Sequence, residues 1–409
     1  MATPPAPAPS IPPNVAAARQ QVVSTDFFAL CYLMLCQLAY TDENSGSKAV
    51  QQIKKLLPAM PVPSGHVKGQ WSIGWGPVVS PDNSNLMYAA EFSDSGSKLP
   101  VFAAVVIRGT DTQAQPSGIL KQVIEDLDAS HQVAFPPNNH SGAKIARGTQ
   151  LGFNTLVGFK DGGRNVETYL KNFVAAHPGA PVVVTGHSLG GCQTTVVALH
   201  LASTVPGTKI VPNSFAAPTA GNADFMKLYE KTFSFCPRWF NNIDLVPMAF
   251  AGLGGIKGLW SQCKRPAPDA LKIVIDAFEV LLKFLKVSYS QESSGNSRLL
   301  HGICQPPKMQ PVSASVQQKA VAEVQALFHD AVKKLQHDVS KIPLVGGVAA
   351  HGLSFEMSAN SFQNLGAWVE ELMFQHLILT GYWDLVKASK GVAPIPDPFE
   401  KAAGASAKS

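Results

Sequence analysis

The stretch at residues 181–195, PVVVTGHSLGGCQTT, constrains the fold more than any other part of the chain. Its three consecutive valines, residues 182–184, favour a strand that is buried on both faces. The residues that follow the glycines have the apolar spacing of a helix. A serine between glycines, where a strand runs directly into a helix, predicts a nucleophile elbow, with a glycine-rich capping turn as the alternative. The predicted elbow consists of Gly186, His187, Ser188 and Gly190.

The elements around this elbow predict the architecture of the domain. Three strand-like runs, at residues 70–80, 85–94 and 99–109, are separated by turns rich in Asn, Asp, Ser and Gly. Farther along the chain, from residue 163, helices and strands alternate, which is typical of a parallel sheet. We therefore predict an α/β fold with a mostly parallel central sheet, antiparallel N-terminal strands and a later helical insertion.

Composition and periodicity suggest how the 409 residues are divided. Hydrophobic residues make up 45% of the chain, enough for one large core with an insertion. The alternation breaks after residue 250, where a very apolar helix at 269–287 and an amphipathic helix at 315–339 are predicted. The predicted segments are a disordered Pro/Ala-rich tail (1–20), the first part of the core (21–250), a helical insertion that can act as a cap (251–350), the closing part of the core (351–395) and a loose tail (396–409).

Charge and hydropathy limit the partners and the location. The formal net charge is +5, only 15% of the residues are charged, and no long basic run occurs, so nucleic-acid binding is not expected. The apolar run at residues 27–40 is too short to span a bilayer, and no transmembrane segment is expected. The amino terminus lacks the features of a signal peptide, which predicts a cytoplasmic protein, with secretion by another route left open. Nothing in the sequence indicates an oligomeric state.

Six cysteines are too few for a disulfide scaffold in a chain of this length. Cys263 and Cys304 flank a variable-looking region and are candidates for a pair, which the sequence alone leaves open. No group of His, Cys and Asp residues has the spacing of metal ligands, so neither a metal nor an organic cofactor is expected.

A serine hydroxyl is a weak nucleophile that needs a base and an acid to orient that base. After an elbow of this kind the acid comes first along the chain and the histidine second. Asp244 is the best candidate for the acid because it follows a strand-like run and precedes a proline. Asp224 is the rival, although it lies on a predicted helix.

Five histidines follow Asp244, and His376 is the best candidate for the base. It lies in an apolar segment that closes the core, where a buried imidazole needs a partner such as Asp244. His351 is the main rival, and the others are His301, His329 and His337.

Donors to the oxyanion are predicted at two positions. One is the backbone N–H of Leu189, directly after the nucleophile at the start of a helix. The other is Thr110, which follows a strand and Gly109 and has both a backbone N–H and a hydroxyl.

In combination these motifs resemble the class 3 lipases, relatives of the fungal triacylglycerol lipases. VVVTGHSLGG is similar to the nucleophile segment of that family, AVVIRGTDT to its oxyanion strand, and FAAPTAGNADF to the run after the next strand. FNNIDLVP resembles the acid motif and so implies Asp244, while QHLILTGY resembles the histidine segment and implies His376, with Tyr382 downstream. QLAYTDE and EDLDAS are also similar to family segments. The resemblance covers residues 25–250 and 360–390 and implies an α/β-hydrolase fold.

The sequence departs from the family pattern in two places. The family's usual His-x-Gly-Phe is QLGF here, at residues 150–153, and the interval from Asp244 to His376 is long because of the insertion.

The family also has a short helical lid after the oxyanion loop, which residues 113–125 resemble, with Ile119, Leu120, Val123 and Ile124 as its apolar face. The apolar helix at 269–287 is a second candidate for a cover over the acyl site, and packing on the core is the alternative.

The expected function is that of a serine carboxylic-ester hydrolase, namely a triacylglycerol lipase that acts on lipid esters at an oil–water interface through an acyl-enzyme intermediate. The same triad serves phospholipases, thioesterases and polyester hydrolases, which the sequence does not separate. A non-catalytic binding protein with a hydrolase fold is the alternative from another class. Such a protein is free to lose a member of the triad, and none is missing here.

Overall fold

The computed structural model describes residues 10–41, 45–65, 67–109, 131–135, 142–291, 295–305, 322, 326 and 365–399. Several predictions concern residues outside these ranges. They are the oxyanion donor Thr110, the lid at 113–125, most of the amphipathic helix at 315–339 and the rival bases His329, His337 and His351.

A seven-stranded sheet forms the centre of the described part of the chain, in the order β1-β2-β3-β6-β7-β8-β9. Its first three strands are antiparallel, and every later neighbour is parallel. This confirms the predicted α/β architecture. The strands are β1 (Gly69–Val79), β2 (Leu86–Asp94), β3 (Pro100–Ile107), β6 (Val182–His187), β7 (Ile210–Phe215), β8 (Arg238–Asn241) and β9 (Ser297–Leu300), and a separate small sheet pairs β4 (Gln132–Ala134) with β5 (Lys144–Ala146).

Helices cover both faces of the sheet. They are α1 (Pro13–Ser24), α2 (Ala29–Leu38), α3 (Gly46–Leu56), α4 (Arg147–Gly158), α5 (Val166–Ala176), α6 (Leu189–Thr204), α7 (Ala223–Thr232), α8 (Leu253–Ile256), α9 (Asp269–Phe284), α10 (Leu365–His376) and α11 (Trp383–Lys387). A π-turn at Ile378–Tyr382 joins the last two.

The valines of β6 show why this strand lies at the centre. Successive side chains of a strand point to opposite faces. Val183 packs into a cluster with α1, α2, α3 and α11, whereas Val182 and Val184 pack into a second cluster with α4 to α7. Because both faces are covered, a continuous apolar run is stable there. The carboxyl end of β6 therefore emerges, with Ser188, from a rigid core.

The apolar helix predicted at 269–287 corresponds to α9. Its residues Leu271, Val274 and Ile275 are buried in a third cluster. That cluster also contains Trp368 and Leu372 of α10, together with the loop that follows β8. The insertion is thereby packed against the helix that ends at His376.

Two segments differ from the predicted domain boundaries. Residues 13–20, which we expected in a disordered tail, begin α1. Proline at the first helical position leaves no hydrogen bond unmade, and Val15, Ala18 and Val22 are buried. Arg19 fastens the helix by donating to the carbonyl oxygens of Pro100 at 2.7 Å and Pro178 at 3.0 Å.

The second difference lies within the segment that we predicted to be a helical insertion. Residues 297–300 form β9, which extends the central sheet next to β8. Arg298 of this strand forms an ion pair with Asp26, with 2.7 Å between Nε and Oδ2. The insertion therefore contributes to the sheet as well as to the helical layer.

None of the described helices is by itself long and apolar enough to cross a membrane. Helices α1 and α2 have the length and apolar composition of a membrane span only when they are taken together, and a 78° bend separates them.

The elbow glycines are required for close approach rather than for an unusual backbone conformation. Neither Gly186 nor Gly190 has a positive φ. A Cβ atom on Gly186 would lie 2.3 Å from the carbonyl carbon and oxygen of Gly190, and one on Gly190 would lie 2.3 Å from the carbonyl oxygen of Ile107. The absence of side chains thus lets β3, β6 and α6 meet next to Ser188.

We expect Gly186→Ala to lower the free energy of unfolding by about 1–3 kcal/mol, as overpacking of a core does. Gly158→Ala is a matched control, because a Cβ atom at that position would meet nothing within 4 Å in the described part of the chain. The control should leave stability unchanged or raise it slightly. Urea denaturation of the two variants measures the difference, and equal stabilities would contradict the close-approach account.

Candidate active site

Ser188 occupies a strained turn between β6 and α6. Its backbone has φ 60° and ψ −128°, a conformation that residues other than glycine rarely adopt. The neighbouring elements hold it there: Ser188 N–H donates to the carbonyl oxygen of Phe215 at 2.9 Å, and its own carbonyl accepts from Cys192 N–H at 3.1 Å. Strain that is maintained by the surrounding structure is typical of functional sites.

Ser188, His376 and Asp244 form one continuous chain of hydrogen bonds. The Oγ of Ser188 lies 2.8 Å from Nε2 of His376, and Nδ1 of His376 lies 2.9 Å from Oδ2 of Asp244. His376 and Asp244 have no exposed side-chain surface, and Ser188 is only 4% exposed. The rival acid Asp224 instead lies on α7, where it contacts Lys227 on the surface. The geometry suits proton transfer from the serine hydroxyl to the imidazole.

Both oxygens of Asp244 have further hydrogen-bond donors. Tyr382 donates its hydroxyl to Oδ2 at 2.7 Å, and Val246 N–H donates to Oδ1 at 3.0 Å. Burial, together with the charge of Asp244, raises the pKa of Tyr382 well above its usual value. The phenol therefore stays protonated and acts as a donor, while its oxygen accepts from Asn241 N–H at 3.1 Å.

We expect Tyr382→Phe to lower kcat about tenfold, which corresponds to one hydrogen bond lost from the acid. Tyr88→Phe is the matched control, because that buried hydroxyl also donates one hydrogen bond, to the carbonyl oxygen of Leu35 at 2.8 Å. Both variants should lose about 1–3 kcal/mol of stability. Steady-state kinetics should find the fall in kcat in Tyr382→Phe alone, and a similar fall in both would refute a specific role for Tyr382.

His187 supports the backbone of His376. Its Nε2 lies 2.9 Å from the carbonyl oxygen of His376, and the two rings are 4.8 Å apart. Burial, and secondarily the neighbouring His376, lowers the pKa of His187 well below its usual value. His187 is therefore neutral, and since a carbonyl accepts from its Nε2, that nitrogen carries the proton.

Neutral His187 implies a dependence of stability on pH. Below pH 6.5, the usual pKa of histidine, the unfolded chain gains a proton at this residue that the folded chain does not bind. Stability from this group is therefore complete above pH 6.5 and falls as the pH decreases, by up to about 1.4 kcal/mol per pH unit. Urea unfolding between about pH 7.5 and about pH 5.5 should show a shallower loss in His187→Gln than in the wild type. Equal slopes would show that His187 does not contribute.

Tyr40 connects the elbow to the strand that precedes the predicted oxyanion loop. Its hydroxyl lies 3.2 Å from the carbonyl oxygen of His187 and 3.3 Å from Nδ1 of the same residue, and it accepts from Gly109 N–H at 3.1 Å.

Leu189 is the first residue of α6, where backbone N–H groups have no partner within the helix. This N–H is therefore suited to an oxyanion.

Three polar residues around the site were not identified from the sequence. Tyr40, Asn241 and Gln375 all hydrogen-bond to groups next to the Ser188–His376–Asp244 chain. Asn241 and Gln375 lie within the acid and histidine segments FNNIDLVP and QHLILTGY, which was the available signal. No local pattern indicates that Tyr40 contacts His187, because 147 positions separate them.

Comparison with known proteins shows a similarity to one family over part of the chain. The model of the class 3 lipase family matches residues 104–253, which include Ser188 and Asp244. A secreted mono- and diacylglycerol lipase 2 from Gibberella zeae is 23% identical over 232 residues, covering 54% of this chain and 55% of that protein. A secreted alkaline triacylglycerol lipase from Penicillium cyclopium is 28% identical over 157 residues, covering 36% of this chain and 48% of that protein. The chain thus spans about half the length of these curated relatives.

Among solved structures, that of M37 lipase is similar to this one. It has a TM-score of 0.57 at 21% identity, covering 84% of this chain and 99% of the other. The likeness supports the predicted α/β-hydrolase fold.

The comparisons contradict our prediction of a cytoplasmic protein. Both curated relatives are named as secreted lipases. The prediction was wrong because it relied on the absence of a recognisable signal peptide.

Proposed function

We propose that this chain, which belongs to the class 3 lipase family, is a serine carboxylic-ester hydrolase that cleaves acylglycerols. The hydrogen-bond chain from Ser188 through His376 to Asp244 is the observation that carries the proposal. It unites a nucleophile, a base and an orienting acid, as acyl transfer requires. The names of the two curated relatives, an acylglycerol lipase and a triacylglycerol lipase, support acylglycerols as the substrate class.

In the proposed mechanism, Ser188 Oγ attacks the ester carbonyl while His376 Nε2 takes the hydroxyl proton. Asp244 holds the imidazole with Nδ1 protonated and stabilises the imidazolium that forms. Leu189 N–H and Thr110 bind the oxyanion of the tetrahedral intermediate. The imidazolium then protonates the departing alcohol and leaves an acyl-serine. Water, activated by His376, hydrolyses the acyl-serine and releases the fatty acid.

We also propose that the protein works outside the cytoplasm. The names of both curated relatives support this location. A second support is the disulfide between Cys263 and Cys304, because such bonds persist in oxidising compartments.

Titration of released fatty acid in a pH-stat tests the proposed substrate class. The wild type should hydrolyse emulsions of trioctanoin and triolein, and Ser188→Ala and His376→Ala should not. The rival histidines serve as controls, so that His301→Ala and His351→Ala should keep the wild-type rate. A wild type that is inert on triglycerides but cleaves a phospholipid, an acyl-thioester or a polyester would retain the mechanism and refute the substrate.

A further inference from the structure

Two buried polar side chains lie on α10, just before its last residue, His376. Glu371 and Gln375 are one helical turn apart, and Gln375 Nε2 donates to Glu371 Oε1 at 2.6 Å. Glu371 has no exposed surface, and Gln375 is 1% exposed. Neither takes part in the proposed mechanism, yet burial of polar groups is unfavourable unless they are hydrogen-bonded. Their partners therefore indicate what they do.

Gln375 connects α10, the helix that ends at the proposed base His376, to the loop that contains the proposed acid Asp244. Its Oε1 accepts from Asn241 Nδ2 at 2.7 Å. Asn241 is the last residue of β8, and its carbonyl oxygen accepts from Asp244 N–H at 3.0 Å. Gln375 Nε2 also donates to the carbonyl oxygen of Ile303 at 2.7 Å. The residue before His376 is thus bonded to the segment that positions Asp244.

Glu371 anchors the same helix to the insertion. Its Oε2 forms an ion pair with Arg265, and its Oε1 accepts from Gln305 N–H at 3.0 Å. Arg265 also donates to the side-chain oxygen of Gln305 at 2.7 Å. A carboxylate without solvent exposure depends on such partners, because an unpaired buried charge is strongly unfavourable. Helix α10 is therefore held to the insertion by Arg265 and Gln305, which are also hydrogen-bonded to each other.

The disulfide joins the two segments that supply these partners. Cys263 lies two residues before Arg265, and Cys304 lies between Ile303 and Gln305. The Cα atoms of the two cysteines are 5.5 Å apart. The bond keeps the donors to Glu371 (Arg265 and Gln305 N–H) and the acceptor for Gln375 (the carbonyl oxygen of Ile303) together on one side of α10.

We propose that Glu371 and Gln375 are positioning residues that, with Arg265 and the Cys263–Cys304 disulfide, hold His376 against Asp244. We call these five residues the histidine-helix clamp. The proposal rests on the proposed function of His376 as the base. The clamp is needed because 132 positions separate Asp244 from His376 along the chain, so local connectivity does not set their distance. Catalytic groups must be held within about 0.5 Å of the productive geometry.

Kinetics with a soluble p-nitrophenyl ester test the clamp. We expect Glu371→Ala to lower kcat by about 10-fold to 100-fold with KM unchanged, because a displacement of about 1 Å costs up to ~10²-fold. Asp26→Asn, which breaks the part-buried ion pair with Arg298 far from α10 in the chain, is the matched control and should keep the wild-type kcat. An unchanged kcat in Glu371→Ala, or an equal fall in the control, would overturn the proposal.

A rescue variant separates positioning from loss of folding. Arg265→Met combined with Glu371→Gln removes both charges and keeps an acceptor for Gln375 and for Gln305 N–H. We expect this double variant to recover most of the kcat that Glu371→Ala loses, and failure to recover in a folded protein would count against the clamp. The Cys263→Ser/Cys304→Ser variant should also lower kcat, and an unchanged kcat would remove the disulfide from the proposal.

A proton NMR spectrum distinguishes failure of the clamp from failure of the proposed function. The Nδ1 proton of His376, bonded to Asp244, should give a low-field resonance that needs no substrate to be observed. Glu371→Ala should weaken or shift this resonance, and Asp26→Asn should not. A wild type inert on every ester would refute the proposed function, while the resonance would still decide the clamp. The same resonance in wild type and Glu371→Ala would overturn it.

Discussion

Ser188→Ala should lower kcat for ester hydrolysis by about 10⁵–10⁶, as loss of the nucleophile does in enzymes with a Ser-His-Asp triad. Alanine has no hydroxyl that can attack the ester, so no acyl-enzyme forms. Any remaining rate would come from binding and from the oxyanion donors alone. The rates at which the wild type and Ser188→Ala hydrolyse a p-nitrophenyl ester measure the effect.

Ser203→Ala is the matched control for this substitution. Ser203 lies on α6, the same helix that Ser188 precedes, and its hydroxyl donates to the carbonyl oxygen of His200 at 2.7 Å. It has no contact with His376 and should keep the wild-type rate. If Ser188→Ala retained activity within about tenfold of the wild type, another nucleophile would have to be sought.

Asp244→Asn should lower kcat by about 10⁴ with little change in KM. Asparagine is nearly the same size, but its amide can turn an N–H toward His376 Nδ1. The imidazole would then carry its proton on Nε2, where it cannot accept the proton of Ser188. Val246 N–H, which donates to Oδ1 in the wild type, favours the amide oxygen at that position and so places the amide nitrogen at the position of Oδ2, next to His376.

The rival acid provides the control. Asp224→Asn alters an exposed residue of α7 that contacts Lys227, and it should leave kcat unchanged. The two variants have the same chemical change, so their comparison isolates position. A loss in Asp224→Asn that matched the loss in Asp244→Asn would remove Asp244 from the proposed role.

The core of the fold could be predicted because its determinants are local. The valines 182–184 followed by a serine between glycines indicate a buried strand, a tight turn and a helix within one short window. The order of acid and base along the chain then limited the candidates to a few residues. What local pattern could not supply was the reason for Gly190, which lies in its close approach to Ile107 on another strand.

The elements that were missed depend on distant partners. Strand β9 has only four residues, and it is a strand because β8 pairs with it. The start of α1 has the Pro/Ala composition of a tail, yet Val15 and Ala18 are buried in the apolar cluster on one face of the sheet. The ion pair of Arg265 with Glu371 joins residues 106 positions apart. Such contacts arise from tertiary packing and leave no periodic trace in the sequence.

Covalent labelling with a fluorophosphonate, followed by peptide mapping by mass spectrometry, tests the central claim most directly. These reagents react with serine hydroxyls that a neighbouring base activates. The account predicts one adduct on the wild-type chain, on Ser188, and a much slower reaction in His376→Ala. A wild-type chain that takes up no label, or an adduct on a different serine, would contradict it.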